Sequence, residues 1–384
     1  MRIFLALASS PNPTFASNLW KWNLYDPLVD LGHDVVLWDG GIQPLFDVDP
    51  RSPECAPRRQ RFGDAFLGAV EAANAAGRLD LVLTYLSDSH LEPAVIDGVR
   101  GKIAPILNFF CNNVHQFHLV ERTSRHYDFC LVPEHAALAK YRRAGARPLF
   151  WPMAANPTYY HPIETPMVYD CSFAGQRYAD RGSLVLTLLE AGVATDAFGQ
   201  SWRPGAPEAG GEAPQGGNAL QRSLALLARG RSPLRAARDT LDWRRLQQRH
   251  ASHLHGPVSD DEYVRLYSSS RISLGFTIVG DTHRGLFPQR QVRLREFEAT
   301  MAGAFYMTGW MDEMAMHYEV GREIVCYHSP AELVEQARWY LVHDAERERV
   351  RRAGHQRAMR DHTWQRRYLT LFAELASRRV IRGD

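Results

Sequence analysis

The sequence predicts two doubly wound α/β domains in tandem, and three stretches carry that prediction. The first is residues 2–38. An apolar strand over 2–8 runs into a Pro-, Ser- and Asn-rich loop, Ser9 to Ser17, then a helix over Asn18–Leu31, Gly32-His33-Asp34 and a strand over Val35–Trp38. Strand, loop, helix and strand in that order open a parallel sheet. The second is residues 293–309, a short helix, a glycine stop and a buried strand in succession. Leu294, Phe297 and Met301 follow the spacing of one apolar helical face, Gly303 fits the left-handed stop, and Ala304 to Thr308 reads as strand. The third lies between them: residues 152–166 hold four prolines and no helical period, which marks an interdomain linker.

At 384 residues the chain is long enough for two separate cores. Its formal charge of +2 makes no case for a nucleic-acid or membrane-surface protein. The five cysteines, Cys55, Cys111, Cys130, Cys171 and Cys326, form no Cys-x-x-Cys pair. Neither a disulfide framework nor a zinc knuckle is indicated, and a cytoplasmic location is expected. The opening Met1 to Ser10 has too short an apolar run for a signal peptide and reads as a first strand. No stretch approaches the ~20 apolar residues that span a bilayer.

In chain order, the loop after the first strand lacks Gly-x-Gly-x-x-Gly, which argues against a dinucleotide site there. Asp47-Val48-Asp49 reads as a solvated turn, since two carboxylates alone underfill a magnesium shell. An alanine-rich helix over 62–78 precedes strands at Leu79–Leu86 and Ile103–Phe110. These strands end in Ser87-Asp88-Ser89-His90 and in Cys111-Asn112-Asn113-Val114-His115, segments expected side by side at the sheet's C-terminal edge. His90 and His115 are the catalytic candidates there, because imidazole moves protons near neutral pH. Asp128–Val132, a helix over His135–Arg143 and Ala146–Trp151 complete the first domain, residues 1–155, with the linker at 156–166.

The second domain, 167–360, opens with a strand over Met167–Phe173 and then Gly175, Arg177 and Arg181 before a helix over Ser183–Ala191. A glycine that lets backbone approach, with two guanidinium forks, suits a diphosphate. Gly199, after the strand Val193–Phe198, joins that set. Residues 203–218 are rich in Pro and Gly, and 218–250 read as one or two helices with eight arginines against two acids. An insertion over about 203–250 follows from that composition. His250, His253 and His255 lack a Cys or carboxylate to complete a metal shell, so no metal site is expected. A helix over Ser259–Ser269, a strand over Ile272–Phe276 and the loop 277–291 lead to Arg293, Arg295 and Glu298. Ser329 and Glu332 form a capping box around Pro330. Helices follow at about 330–342, 345–360 and 364–378, the last with an apolar stripe of Trp364, Tyr368, Leu371, Phe372 and Leu375.

Arg295, Phe297, Glu298 and Gly303 fit an R-x-F-E helix followed by small residues, a glycine and an apolar strand. Glu319 to Tyr327, Ser329 to Leu333 and Arg360 to Trp364 extend the likeness. From about residue 168 to 376 the chain resembles the C-terminal domain of GT-B glycosyltransferases, and within them the spore-maturation CgeB-like family, relatives of the retaining family 4.

That resemblance implies a GT-B fold: two Rossmann-like domains facing a cleft, with residues 361–384 packing back on the first. It implies transfer of a sugar from a nucleoside-diphosphate sugar, UDP by default, to an unidentified acceptor, with retention and no bound metal or other cofactor. Glu298 would hold ribose hydroxyls, bidentate acceptance being what a carboxylate does well. The diphosphate would meet Gly175, Arg177, Arg181, Gly199, Arg284, Arg293 and Arg295, with Arg284 a third catalytic candidate beside His90 and His115. Relatives often carry two glutamates eight residues apart; here Arg290 stands at the first place. Contacts to the transferred sugar are therefore sought in His283, Arg284 and Gln289. On the acceptor side Ser9, Ser10, Asn18, Asn112 and Asn113 face the cleft, the last two where relatives carry aspartates. A nucleotide-sugar epimerase or a non-catalytic nucleotide-sugar binder on the same fold stays open as an alternative.

Overall fold

The computed structural model describes residues 1–8, 18–203, 206, 219–228, 232–285 and 287–382. Ser9, Ser10 and nearly all of the 203–218 excursion lie outside the described residues. The chain divides into two compact units: Met1–Asn156 with Asp361–Asp384, and Pro157–Arg360.

The first unit is built on a six-stranded parallel sheet in the order β2-β1-β3-β4-β5-β6. Its strands are Arg2–Ala6 (β1), Asp34–Trp38 (β2), Leu81–Thr84 (β3), Ile106–Phe109 (β4), Phe129–Val132 (β5) and Pro148–Phe150 (β6). The central strands are apolar at nearly every position because helices cover both faces of such a sheet. The expected helix over Asn18–Leu31 is a continuous helical run over 19–30 whose hydrogen bonding widens midway. A wide turn, Lys21–Tyr25, has the Asp26 amide reaching back to Lys21 O, and a helix, Asp26–Asp30, carries Pro27 in its first turn. Proline supplies no amide, so the register changes there. The helix Cys55–Ala76 begins seven residues before its expected start; in that added stretch Arg58 and Arg61 are exposed, while Arg59 turns in to Glu92 and to the carbonyls of Pro50 and Asp88. The C-terminal helix Trp364–Ser377 belongs to this unit. Trp364, Tyr368, Leu371 and Leu375 are its buried stripe, and Tyr368 Oη donates to Leu24 O at 2.8 Å.

The second unit has its own six-stranded parallel sheet, order β12-β11-β10-β7-β8-β9. The strands are Tyr169–Ala174 (β7), Thr195–Phe198 (β8), Leu254–His255 (β9), Ser270–Leu274 (β10), Tyr306–Gly309 (β11) and Val325–Tyr327 (β12). Strand β9 takes in His255, the last of the three clustered histidines. Its His255 donates to Asp196 at 2.7 Å, and among the described residues no set of three His, Cys, Asp or Glu is arranged to hold a metal ion. The Arg295–Met301 helix is only seven residues long, and Glu296 to Met301 are all buried. The single apolar face expected from Leu294, Phe297 and Met301 is therefore too narrow a description. This short helix is enclosed by the core, so polar Glu296 and Glu298 are buried with Phe297.

The chain leaves β7 for β8 and β9, then returns to pair β10 on the other side of β7. A parallel sheet opens a crevice at such a reversal, outside the C-terminal strand ends. The loops after β7 and β10 meet there.

Candidate ligand site at the switch point of the second sheet

The loop after β7 begins with Gly175, whose φ of +151° is a region only glycine occupies readily. A Cβ on Gly175 would lie 2.6 Å from Arg295 Nη2 and 2.9 Å from Phe173 Cζ. Gly199, at φ +147°, is packed still harder: its Cβ would sit 2.6 Å from Gly175 O, a backbone atom that cannot swing aside. Trp202 Nε1 donates to that same carbonyl at 2.7 Å. The two glycines thus let the β7 and β8 loops and Arg295 converge. Gly175→Ala is expected to lower stability by about 1–3 kcal/mol through backbone strain and to displace Arg295. Thermal unfolding reads the first effect and ligand titration the second; a variant with unchanged melting temperature would contradict this packing.

Three guanidiniums gather around Tyr178. Arg181 lies 3.7 Å and Arg293 5.5 Å from the ring centroid, and Arg295 stands 4.9 Å over the neighbouring Phe173 ring. Arg181 is buried, donating from Nη1 to Gln176 O at 2.6 Å and from Nη2 to Tyr178 Oη at 2.7 Å. Burial lowers its pKa to about 10, with Arg293 and Arg295 pushing the same way, and it stays charged at neutral pH. Burial raises the Tyr178 phenol, but Arg181, Arg293 and Arg295 outweigh it and leave the group below its ordinary value.

Three carboxyls share the site, and all are biased toward the neutral form. Burial is the first cause at Asp180, Glu296 and Glu298, and it brings Glu298 up to about 7. Glu298 Oε2 accepts from Tyr263 Oη at 3.1 Å, and Tyr267 Oη donates to Tyr263 Oη at 2.5 Å. Tyr160 also bonds to Glu298. Glu296 Oε2 accepts the Arg293 amide at 2.7 Å. One oxygen each of Asp180, Glu296 and Glu298, and Nε of Arg181, Arg293 and Arg295, are buried with no hydrogen-bond partner. In this site charged guanidiniums face carboxyls whose ionisation burial disfavours. Its orphaned donors and acceptors await an anion that also carries hydroxyls.

Arg290 donates to Trp310 O at 2.9 Å and bears on the charge of Asp180. His283 is buried, with Nε2 2.7 Å from Asp239 Oδ2 on the helix Pro233–Arg249. Arg284 closes the turn Gly280–Arg284, and its side chain lies outside the described residues. Gln289 is exposed, its amide donating to Thr282 Oγ1 at 3.1 Å.

Other expected residues are placed differently. Arg177 does not join the cluster. Its guanidinium stacks 3.9 Å from the Trp243 ring and donates to Ser201 O and Ala206 O, so the fold itself consumes its fork. His90 is corrected as a catalytic candidate. It is fully buried, Nδ1 meets the Ser87 amide and hydroxyl, and Nε2 lies 3.0 Å from Ile42 O. Burial depresses its pKa to about 4, so it is a neutral structural imidazole. Asn113 is corrected as an acceptor contact. Its Nδ2 donates to Phe110 O and Glu134, and its Oδ1 accepts from Tyr141 at 2.6 Å, all inside the first unit. Asn112, at φ +64°, is half-buried, His115 is exposed, and Asn18 is half-buried with its carbonyl accepting from Trp22 N.

Sequence reasoning missed Tyr160, Tyr263, Tyr267, Glu296 and Asp239 as site residues. Only the i, i+4 spacing of Tyr263 and Tyr267 behind the Ser259–Glu262 capping box signalled a shared face.

The chain aligns along nearly its whole length with solved structures. Sucrose-phosphate synthase from Thermosynechococcus elongatus is 14% identical over 98% of this chain and 99% of that one, with a TM-score of 0.59. A glycosyltransferase from Rickettsia africae is 9% identical over 100% and 99%, TM-score 0.59. Anabaena HepE in complex with UDP and glucose is 11% identical over 98% and 99%, TM-score 0.55. The chain has the GT-B fold. Residues 219–373 match a family model described as glycosyl transferase-like. In this GT-B chain that match takes in Tyr263, Arg293, Arg295, Glu296 and Glu298 but not the Gly175–Arg181 loop. No curated protein matches the sequence significantly.

Proposed function

We propose that the chain is a glycosyltransferase whose nucleoside-diphosphate sugar binds at the switch point of the second sheet. The observation that carries this reading is the cluster of Arg181, Arg293 and Arg295, each with a buried Nε that has no hydrogen-bond partner, next to the partly satisfied carboxylate of Glu298. The guanidiniums match a diphosphate in charge and in fork geometry. Glu298, bonded by two tyrosine hydroxyls, accepts the vicinal hydroxyls of ribose. In transfer, the same arginines stabilise the negative charge that grows on the leaving diphosphate. That role lets the reaction proceed without a bound metal, and likeness to family 4 favours retention of configuration. UDP is the first base to test, since HepE was solved with UDP and with UDP-glucose.

An epimerase is the second reading. A putative UDP-N-acetylglucosamine 2-epimerase from Listeria monocytogenes aligns at 12% identity over 98% of this chain, TM-score 0.54. Conversion of the nucleotide sugar with no acceptor present would favour it.

The test is a thermal-shift and calorimetric screen against UDP, GDP, TDP and ADP with their common sugar conjugates. A ligand at a hundred times its Kd stabilises the fold by about 2.7 kcal/mol. One base is expected to stand out, and a flat melting temperature across the panel would defeat the reading.

A further inference from the structure

The whole-chain charge of +2 hides a local excess: residues 218–250 hold eight arginines against two acids. The helix Pro233–Arg249 shows where that excess points. Its buried Asp242 and Leu246 face the domain, and Asp239 turns the same way to the buried His283. Asp242 Oδ2 accepts the Ser183 hydroxyl at 2.7 Å. Both acids are therefore engaged inward. The opposite face carries Leu234, Arg238, Leu241 and Arg245, spaced four, three and four residues apart, so they form one stripe along the helix. All four are exposed, Leu234 by 83%. Arg238 and Arg245 stand 3.8 and 4.0 Å from Asp242, beyond hydrogen-bond distance, and their side chains are largely in solvent. Arg244 and Arg249, also exposed, flank the stripe on either side. Apolar side chains gather around it. Leu224 and Leu227, three residues apart on the preceding helix Ala219–Ala228, are each more than half exposed. Four of the five exposed leucines among the described residues thus sit on this insertion. Arg235 Nη1 donates to His283 O at 2.8 Å and to Gly285 O at 2.6 Å, which ties the Gly280–Arg284 turn to the start of the Pro233–Arg249 helix. Phe287, just beyond that turn, is 86% exposed, the most of any large apolar side chain among the described residues.

We propose that the outward face of this insertion docks on a bilayer that contains anionic phospholipid. Single exposed leucines are ordinary on a protein surface. Leucines interleaved with arginines on one helical stripe are different, because they match the two layers of a lipid interface. Leucine enters the acyl boundary, and the long arginine stem lets the guanidinium reach back to phosphate. A nucleic acid or other soluble polyanion would pair the arginines and leave the leucines in water; a bilayer uses both. The proposal is independent of the donor reading, since none of Leu234, Arg238, Leu241 and Arg245 belongs to the arginine and carboxyl site at the switch point.

The experiment sediments the full chain with vesicles of phosphatidylcholine alone and of phosphatidylcholine with about one-third phosphatidylglycerol. Wild type is expected to partition at least about tenfold more strongly onto the anionic vesicles, and salt at about 0.5 M should weaken that binding several-fold. Leu234→Ser with Leu241→Ser, and separately Arg238→Gln with Arg245→Gln, should each lower partitioning onto the anionic vesicles about tenfold. All four side chains are exposed, so melting temperature and the response to nucleotide should stay as in wild type; if one pair fails to fold, the other decides. A wild type that binds neither kind of vesicle would overturn the proposal, as would equal binding to both kinds. So would a leucine pair that still binds like wild type, because that contact would be one any polyanion could make, or an arginine pair that does. Vesicle binding in a protein that responds to no nucleotide would count against the donor reading alone.

Discussion

Replacing Arg295 with methionine is expected to weaken nucleoside-diphosphate binding about a hundredfold, the roughly 3 kcal/mol carried by a charge-assisted bidentate contact in a dry site. Arg295 is the cation on which the site converges. Its Nη2 occupies the space a side chain at Gly175 would need, it lies over Phe173, and its Nε is buried without an acceptor. Methionine keeps most of the apolar stem volume and removes the fork, so the loss reports charge and hydrogen bonding rather than a cavity. Lysine keeps the charge but not the planar fork, and an intermediate loss of about tenfold is expected. Isothermal titration with the best ligand of the screen decides it. A methionine variant that binds like wild type would remove Arg295 from the diphosphate site.

Glu298→Gln should make the ligand-free protein more stable in mild alkali while abolishing tight donor binding. The sign follows from the direction of its shift. Burial, opposed by the Tyr160 bond, Arg295 and the Tyr263 bond, raises the folded-state pKa to about 7, whereas an unfolded glutamate titrates near ~4.3. A raised carboxyl favours the protonated form in the folded state. Its stabilisation is complete below the unfolded pKa and is lost as pH rises through about 7. Glutamine mimics the neutral acid at every pH. The variant should therefore match wild type near pH 4–5 and exceed it at pH 8 by up to about 3 kcal/mol. Unfolding midpoints at the two pH values check this, and a stability difference independent of pH would refute the ionisation argument. Function requires the opposite of stability here: the carboxylate that accepts ribose is the form the empty site disfavours. Donor affinity should accordingly rise with pH through the same window.

Much of the fold was legible because parallel strands buried on both faces read as short apolar runs. Leu81–Thr84, Ile106–Phe109 and Phe129–Val132 all fall within expected strands. The C-terminal helix was equally plain, since Trp364, Tyr368, Leu371 and Leu375 keep one face over twelve residues. The helix over Asn18–Leu31 was legible too, and what the sequence did not show is the widened hydrogen bonding over Lys21–Tyr25 just before Pro27. Periodicity found the buried Phe297 and Met301 of the 295–301 segment but not Glu296, Glu298, Ala299 and Thr300, which are buried with them.

For the site, the residue types came through and their roles did not. Arg177 and Arg181 stand four residues apart in one motif. Yet Trp243, from the distant insertion, captures Arg177, while Arg181 turns inward to Tyr178. His90 and Asn113 had the right chemistry at the right strand ends, and Ile42, Glu134 and Tyr141 consume it. By itself the sequence determined the class of fold, the order of its strands along the chain and the concentration of arginine after β7 and before β11. Only the tertiary structure decided which polar groups stay unsatisfied, because a side chain's partners come from elements far away in sequence, and burial sets the charge each group can hold.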